Sequence, residues 1–297
     1  AQDTNRTFPN PWMWQVVSST KARAPSGSGT LNGIITRPSL RWPIYRDQVA
    51  TPGEWYRQHS QICYAPDGSA LASTPCKVHK LDGSVPLGIT LRSPVDLETT
   101  RVLSEEKPPA RGVRYSPVAL LLAVGDVEGN LALLDTERGE EVNRVVVAEG
   151  REVFPVGFSQ SGERLLVIAR VDLESQCVVY QTDDLKVLAS WALPNQEFCA
   201  AISPDGLQVI TGFRRGVLVW NLANLAQAIP CSAGEVYGLD YSPDGQLIAA
   251  SRDNGRIDLI DVTTLEVIDQ LVGHTEHIGA VRFSPDGKRL ASAGHGR

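Results

Sequence analysis

A chain of 297 residues, 42% hydrophobic and 21% charged, has the apolar content for a packed core, which excludes disorder, and the length for one large domain or two small ones. Its 28 Lys and Arg against 34 Asp and Glu leave a formal net charge of -6, so no global positive field exists to hold a nucleic-acid backbone or an anionic membrane. The longest apolar run, Val118 to Val124, is strand-sized and far short of the ~18 residues of a membrane helix, so neither nucleic acid nor membrane is an expected partner.

The chain opens Ala1-Gln2-Asp3-Thr4 without an initiator Met, as an exported product does after loss of a leader, and as a cloned fragment also does. Export is the expectation, with the cytoplasm as the alternative. Asn5-Arg6-Thr7 is a glycosylation sequon, meaningful only in a secretory pathway. Phe8 to Val17, with Trp12, Met13, Trp14, Val16 and Val17, reads as an apolar strand. Residues 28 to 61 hold Trp42, Tyr45, Trp55 and Tyr56 among several Arg; irregular spacing favours edge packing over a stacking platform for a single strand or glycan.

From residue 24 onward one turn signature recurs: aromatic, Ser, Pro, Asp, Gly. Tyr64-Ala65-Pro66-Asp67-Gly68, Ile202-Ser203-Pro204-Asp205-Gly206, Tyr241-Ser242-Pro243-Asp244-Gly245 and Phe283-Ser284-Pro285-Asp286-Gly287 are clear copies. Tyr115-Ser116-Pro117 and Phe158-Ser159-Gln160-Ser161-Gly162 are degraded, and Ala24-Pro25-Ser26-Gly27, with Arg23 before it, is the weakest. The Ser or Ala anchors fall at 24, 65, 116, 159, 203, 242 and 284, about 43 residues apart, the period of a four-stranded propeller blade. Ser bonds the backbone, Pro presets φ and Gly takes positive φ, so each copy reverses the chain.

Strands flank each turn: Val236 to Tyr241 and Ile278 to Phe283 before it, Leu165 to Ala169, Leu247 to Ala250 and Leu290 to Ala293 after it. Third strands follow at Asn130 to Asp135, Gln176 to Tyr180, Val217 to Trp220 and Arg256 to Asp261, and more loosely at Arg41 to Tyr45 and Lys77 to Asp82. Fourth strands follow at Val142 to Val147, Val187 to Leu193 and Val267 to Val272. The expected fold is all-β, a single propeller over 1–297 with four-stranded antiparallel blades, seven with six as the alternative. Residues 1 to 60 form a degenerate first blade and closing strand. The last blade is incomplete, or closed by the N-terminal segment, with Trp12 to Val16 in its third slot if the count is six.

This pattern resembles the WD-repeat family of β-propellers along almost the whole chain. In that family the third strand ends in Trp-Asp, and the matching pairs are Leu134-Asp135, Tyr180-Gln181, Trp220-Asn221, Ile260-Asp261, Leu81-Asp82 and Tyr45-Arg46, none keeping both residues. The family's Gly-His step appears once, as Gly273-His274. The resemblance implies structural roles for His274, for Ser292 as its hydrogen-bond partner, and for Trp220.

No catalytic constellation stands out. The five His residues show no triad placement, no nucleophile elbow or phosphate loop occurs, and the Asp-Gly pairs are explained by their turns. Cys76 and His79 make a Cys-x2-His step without a second close pair; all five Cys, at 63, 76, 177, 199 and 231, read as small hydrophobes, and neither metal nor cofactor is expected. In an up-and-down sheet the second-to-third and fourth-to-first connections emerge at one end, which is the expected binding face. It carries Arg170, Arg214, Arg215, Arg252 and Asp253 on the first kind of loop, and Glu197, Glu235 and His277 on the second, beside Asp126, Glu128, Arg111 and Glu152. Arg214, Arg215 and Arg252 fall on consecutive repeats and form a candidate basic patch for a carboxylate or acidic peptide. The expectation is a noncatalytic, monomeric scaffold binding a protein or peptide with these loops. A propeller enzyme or small-ligand or metal binder using the central channel is the alternative, and a sensor module of a larger polypeptide a third.

Overall fold

The computed structural model describes residues 12–18, 34–36, 62–74, 89–96, 99–103, 110–171, 174–193, 197–225, 228–232 and 234–295. The regular elements among them are all strands. In chain order they are β1 (Trp12–Ser18), β2 (Ile34–Thr36), β3 (Ile62–Tyr64), β4 (Leu71–Ser73), β5 (Thr90–Arg92), β6 (Thr99–Val102), β7 (Ala110–Tyr115) and β8 (Leu121–Asp126). Then come β9 (Asn130–Asp135), β10 (Glu140–Val146), β11 (Glu152–Phe158), β12 (Arg164–Val171), β13 (Glu174–Gln181), β14 (Val187–Leu193), β15 (Glu197–Ile202) and β16 (Gln208–Phe213). The last are β17 (Gly216–Asn221), β18 (Ala228–Ser232), β19 (Val236–Tyr241), β20 (Leu247–Arg252), β21 (Arg256–Asp261), β22 (Val267–Val272), β23 (Ile278–Phe283) and β24 (Arg289–His295). Among the described residues no helix is long and apolar enough to cross a membrane.

The strands form six four-stranded antiparallel sheets. Five are consecutive runs, β3 to β6, β7 to β10, β11 to β14, β15 to β18 and β19 to β22; the sixth is ordered β2-β1-β24-β23. The chain divides into two compact units, residues 41–195 and residues 1–40 with 196–297. In the first, β7 packs against β3 and β11; in the second, β19 packs against β15 and β23. The sheets of each unit therefore stack with their first strands side by side.

The core lies between stacked sheets. Ala123, Leu131, Leu133, Val153, Leu165, Val167 and Ala169 fill the space between the third and fourth anchored repeats, and Ile210, Val219, Val236, Leu239, Ile248 and Ile260 do the same in the other unit. Side chains alternate across a strand, so a sheet covered on both faces needs apolar residues at every position. β20 shows this: Ile248 and Ala250 join one interface and Ala249 the next. Small Ala and Ser on second strands let the sheets approach. Fourth strands face outward, with Val142, Val187, Ile268 and Val272 exposed. Register shifts lie next to Val142, Leu188 and Ile268, bulges that blunt edges otherwise open to pairing.

In every described anchor turn the anchor N–H donates to the carbonyl five residues on. In the three full Ser copies, Ser Oγ donates to the Asp two residues on: Ser203 to Asp205 at 2.5 Å, Ser242 to Asp244 and Ser284 to Asp286 at 2.6 Å. The same Oγ accepts the N–H five residues on, at 2.9 Å from Gln208, Leu247 and Arg289. The Gly N–H closes the turn on the anchor carbonyl, and the glycines sit at φ +67 to +76°, a region only Gly enters without strain. Gly245 and Gly287 lie over Pro204 and Pro243 of the preceding turns, so the turns also stack.

The structure bears on four expectations. β1 pairs with β24 over seven residues, Trp12↔His295 to Ser18↔Arg289, and β2 pairs with β1, so the N-terminal segment supplies both missing strands of the last sheet. β1 takes the third slot that the six-blade alternative gave to Trp12 to Val16. The Ala24 copy, expected to reverse the chain between first and second strands, falls between a third and a fourth, outside the described residues. In the Ala65 repeat the third strand is β5, not Lys77 to Asp82, because lengthening a connection costs little entropy. Lys77 to Asp82, with Cys76 and His79, and Arg41 to Tyr45 lie outside the described residues, as do the sequon and the aromatics of 28 to 61.

Between third and fourth strands, Leu185 and Leu265 occupy positive φ, 52° and 59°. Gly139 stands at the corresponding place, φ 77°, where a Cβ would fall 2.0 Å from Arg101 Nη2. Arg101, on β6, donates to the carbonyls of Glu137 at 3.0 Å and Arg138 at 2.9 Å, latching one sheet to the turn of the next. A left-handed Leu costs about 1 to 2 kcal/mol, whereas burying one returns roughly 1.5 to 3; Leu185 is buried among Tyr180 and Val178, so burial wins. Leu185→Ala keeps the strain and loses the contacts, so it should destabilise by about 2 to 5 kcal/mol. Leu185→Gly should cost less, reversing the usual order; urea melts of both variants test this.

Candidate functional site

At the end of the 196–297 unit where second-to-third and fourth-to-first connections meet, three neighbouring sheets contribute to one cluster. Arg214 and Arg215 form the two-residue turn between β16 and β17, closed by the pair Phe213↔Gly216. Glu235 precedes β19 and accepts the Tyr237 hydroxyl proton at 2.5 Å on Oε2. Arg214 Nε stands 3.7 Å from Glu235 Oε1, and its side chain is 63% exposed. The Tyr237 ring lies 5.2 Å from that of His277, which precedes β23. Arg214, Glu235 and His277, expected from sequence on one face, are thus linked through Tyr237. Tyr237 was not anticipated; its signal is the aromatic five residues before the anchor, at which Phe154 stands in another repeat.

Arg252 does not stand with Arg214 and Arg215. It is buried, its Nε donates to Asp258 Oδ2 at 2.8 Å, its Nη2 donates to the same oxygen, and Nη1 reaches the Gly234 carbonyl at 3.1 Å. Asp258 Oδ1 accepts from Gln270 at 2.8 Å, so the network spans β20, β21 and β22. The candidate patch therefore reduces to Arg214 and Arg215. Asp253 is exposed beyond Arg252, while the Glu197 side chain lies outside the described residues.

In the 41–195 unit the corresponding end carries Arg170 over the Phe154 ring at 5.6 Å and the ion pairs Arg111–Glu152 at 2.6 Å and Arg151–Glu174 at 3.1 Å. Asp126 is buried and accepts the N–H groups of Glu128, Gly129 and Asn130 at 2.9 to 3.0 Å, so it holds its turn. Among the described residues no three His, Cys, Asp or Glu side chains gather as a metal site.

Beneath these loops lies a framework of repeat-specific bonds. His274 Nε2 and Ser292 Oγ share a hydrogen bond at 2.8 Å, and burial holds the imidazole pKa below its usual value, favouring the neutral ring. Trp220 is buried and donates to Thr211 Oγ1 at 2.7 Å. The acids that end third strands cap the following turn: Asp135 accepts from Glu137 and Arg138 at 2.9 Å, and Asp261 from Thr263 and Thr264 at 2.9 and 2.8 Å. A family model, the WD40 domain of anaphase-promoting complex subunit 4, matches residues 193–285. The chain resembles WD-repeat proteins.

Its WD-repeat relatives include the Schistosoma mansoni WD repeat-containing protein SL1-17, 32% identical over 147 residues, 48% of this chain and 47% of that protein. The Schizosaccharomyces pombe meiotic recombination protein rec14 is 32% identical over 104 residues, 34% of each chain. The matches thus span about half or less of these curated relatives. Among solved structures, the β-propeller domain of Myceliophteria thermophila Cps50 (Swd1) aligns with TM-score 0.55 at 17% identity over 62% of each chain. The fold is that of a β-propeller.

Two charged residues, Arg252 and Asp240, test the electrostatics of this scaffold. Breaking a buried pair from one side strands the other charge, so Arg252→Ala should cost about 3 to 5 kcal/mol in urea unfolding. Asp240, on β19, accepts the Phe283 N–H at 2.7 Å with Arg282 at 4.0 Å, yet burial outweighs both and raises its carboxyl pKa. A raised folded value means a contribution to stability that is present at low pH and lost as pH rises. Asn accepts the same N–H without a charge, so the stability of the native chain relative to Asp240→Asn should grow as pH falls from 7 to 4. Paired urea melts across that range read it, and a gap that shrinks contradicts the burial account.

Proposed function

We propose that this chain is a noncatalytic interaction scaffold that holds a protein partner against the loops at one end of its 196–297 unit. The observation that carries the reading is the convergence of Arg214, Glu235, Tyr237 and His277 from three successive sheets. Tyr and Arg are the side chains that dominate binding energy at protein interfaces, because they offer large contact area with directed hydrogen bonds. Arg214 stands on a two-residue turn closed by a strand pair and Tyr237 on a strand, so little ordering entropy is lost on association. The WD40 domain match and the WD-repeat relatives support a protein-binding role over a catalytic one.

Photo-crosslinking locates the binding surface. A benzoylphenylalanine at position 253, exposed on the neighbouring connection at the same end, should capture a partner from an extract, while the same residue at 188, on an outer strand, should not. Tyr237→Ala should then weaken that partner's affinity at least tenfold, about 1.4 kcal/mol. Capture only from 188, with Tyr237→Ala binding normally, overturns the reading.

A further inference from the structure

Resting on that reading, the chemistry of the cluster specifies what it offers a partner. Glu235 is engaged on both oxygens, accepting the Tyr237 hydroxyl on one and facing Arg214 on the other. Arg214 Nε is 3.7 Å from that carboxylate, beyond hydrogen-bond reach, and no hydrogen bond ties the exposed Arg215 side chain among the described residues. The local surplus is therefore of guanidinium donors, on a two-residue hairpin whose base, Phe213, is buried. The neighbouring sheet places Asp253 and Glu276 exposed on its own connections, which confines the positive surface to one turn. A single turn of positive charge on a chain of net charge -6 is too small for a polyanion backbone, whose binding scales with the number of charges neutralised. It matches a short stretch with one or two carboxylates, which arginine holds bidentately.

We infer that Arg214 and Arg215 form an acidic-peptide subsite, with the Glu235–Tyr237 pair fixing its floor. The test is selection from a displayed random peptide library on the full chain, on Arg214→Glu/Arg215→Glu, on Arg214→Lys/Arg215→Lys and on Tyr237→Ala, after thermal melts confirm that each is folded. The native chain should enrich Asp and Glu several-fold. Charge reversal should abolish that enrichment and weaken a selected peptide at least tenfold, and the Lys pair should keep only part of the affinity because it keeps charge without the planar fork. Selected peptides without acidic bias that still depend on Tyr237 overturn this inference and leave the end-face reading standing. Binding indifferent to both Tyr237→Ala and charge reversal, or no selected peptides at all, overturns the subsite, and indifference to both removes support from the face as well.

Discussion

Leu165, Val167 and Ala169 on one face of β12 and Leu166 and Ile168 on the other are all withdrawn from water. A sheet apolar on both faces has no stable life alone, because each uncovered face leaves several large side chains hydrated, and only another sheet offers a matching flat surface. Stacking is thus the constraint from which the rest follows. It demands small residues on second strands, first strands that stand side by side, outward fourth strands that tolerate exposed Val and Ile, and connections gathered at the two ends. A binding surface made of those connections inherits its rigidity from the stack.

The sheets are also joined by arginines that act as linkers. Arg101 reaches carbonyls in the turn of the next sheet, Arg114 donates to Val156 O at 2.8 Å, and Arg282 donates to Leu239 O at 2.8 Å. Arg252 ties three strands within one sheet. Arg252 meets a buried carboxylate that would otherwise be short of partners. Against that usage, Arg214 meets Glu235 only as an ion pair at 3.7 Å, and no hydrogen bond ties the Arg215 side chain among the described residues.

The sequence carried the reverse turn because its residues are fixed by local backbone chemistry: a hydroxyl, a preset φ, a carboxylate and a positive φ leave few alternatives, and strands can be counted outward from them. What lay hidden was nonlocal. β18 contains Pro230, which argues against a strand until the strand is known to be an edge. β5 was displaced because the distance from anchor to third strand is set by the length of a connection, which costs little to extend, rather than by packing. Arg252 stood at a strand end and looked like a loop cation; the acid Asp258 inside an otherwise apolar third strand was the sign of a buried partner. Glu235 and His277 were legible as loop residues, but their joining through Tyr237 depends on how adjacent sheets register.

The pairing of β1 with β24 has a consequence for how the polypeptide is made. Seven ladder positions join residues 12–18 to residues 289–295, so β1 waits without this partner until the strands between them have been translated. Closing so long a loop is entropically slow, and an orphaned strand rich in Trp and Val invites chaperone capture or mispairing in the interval. The final hairpin then acts as a clasp, whose arrival completes the last sheet.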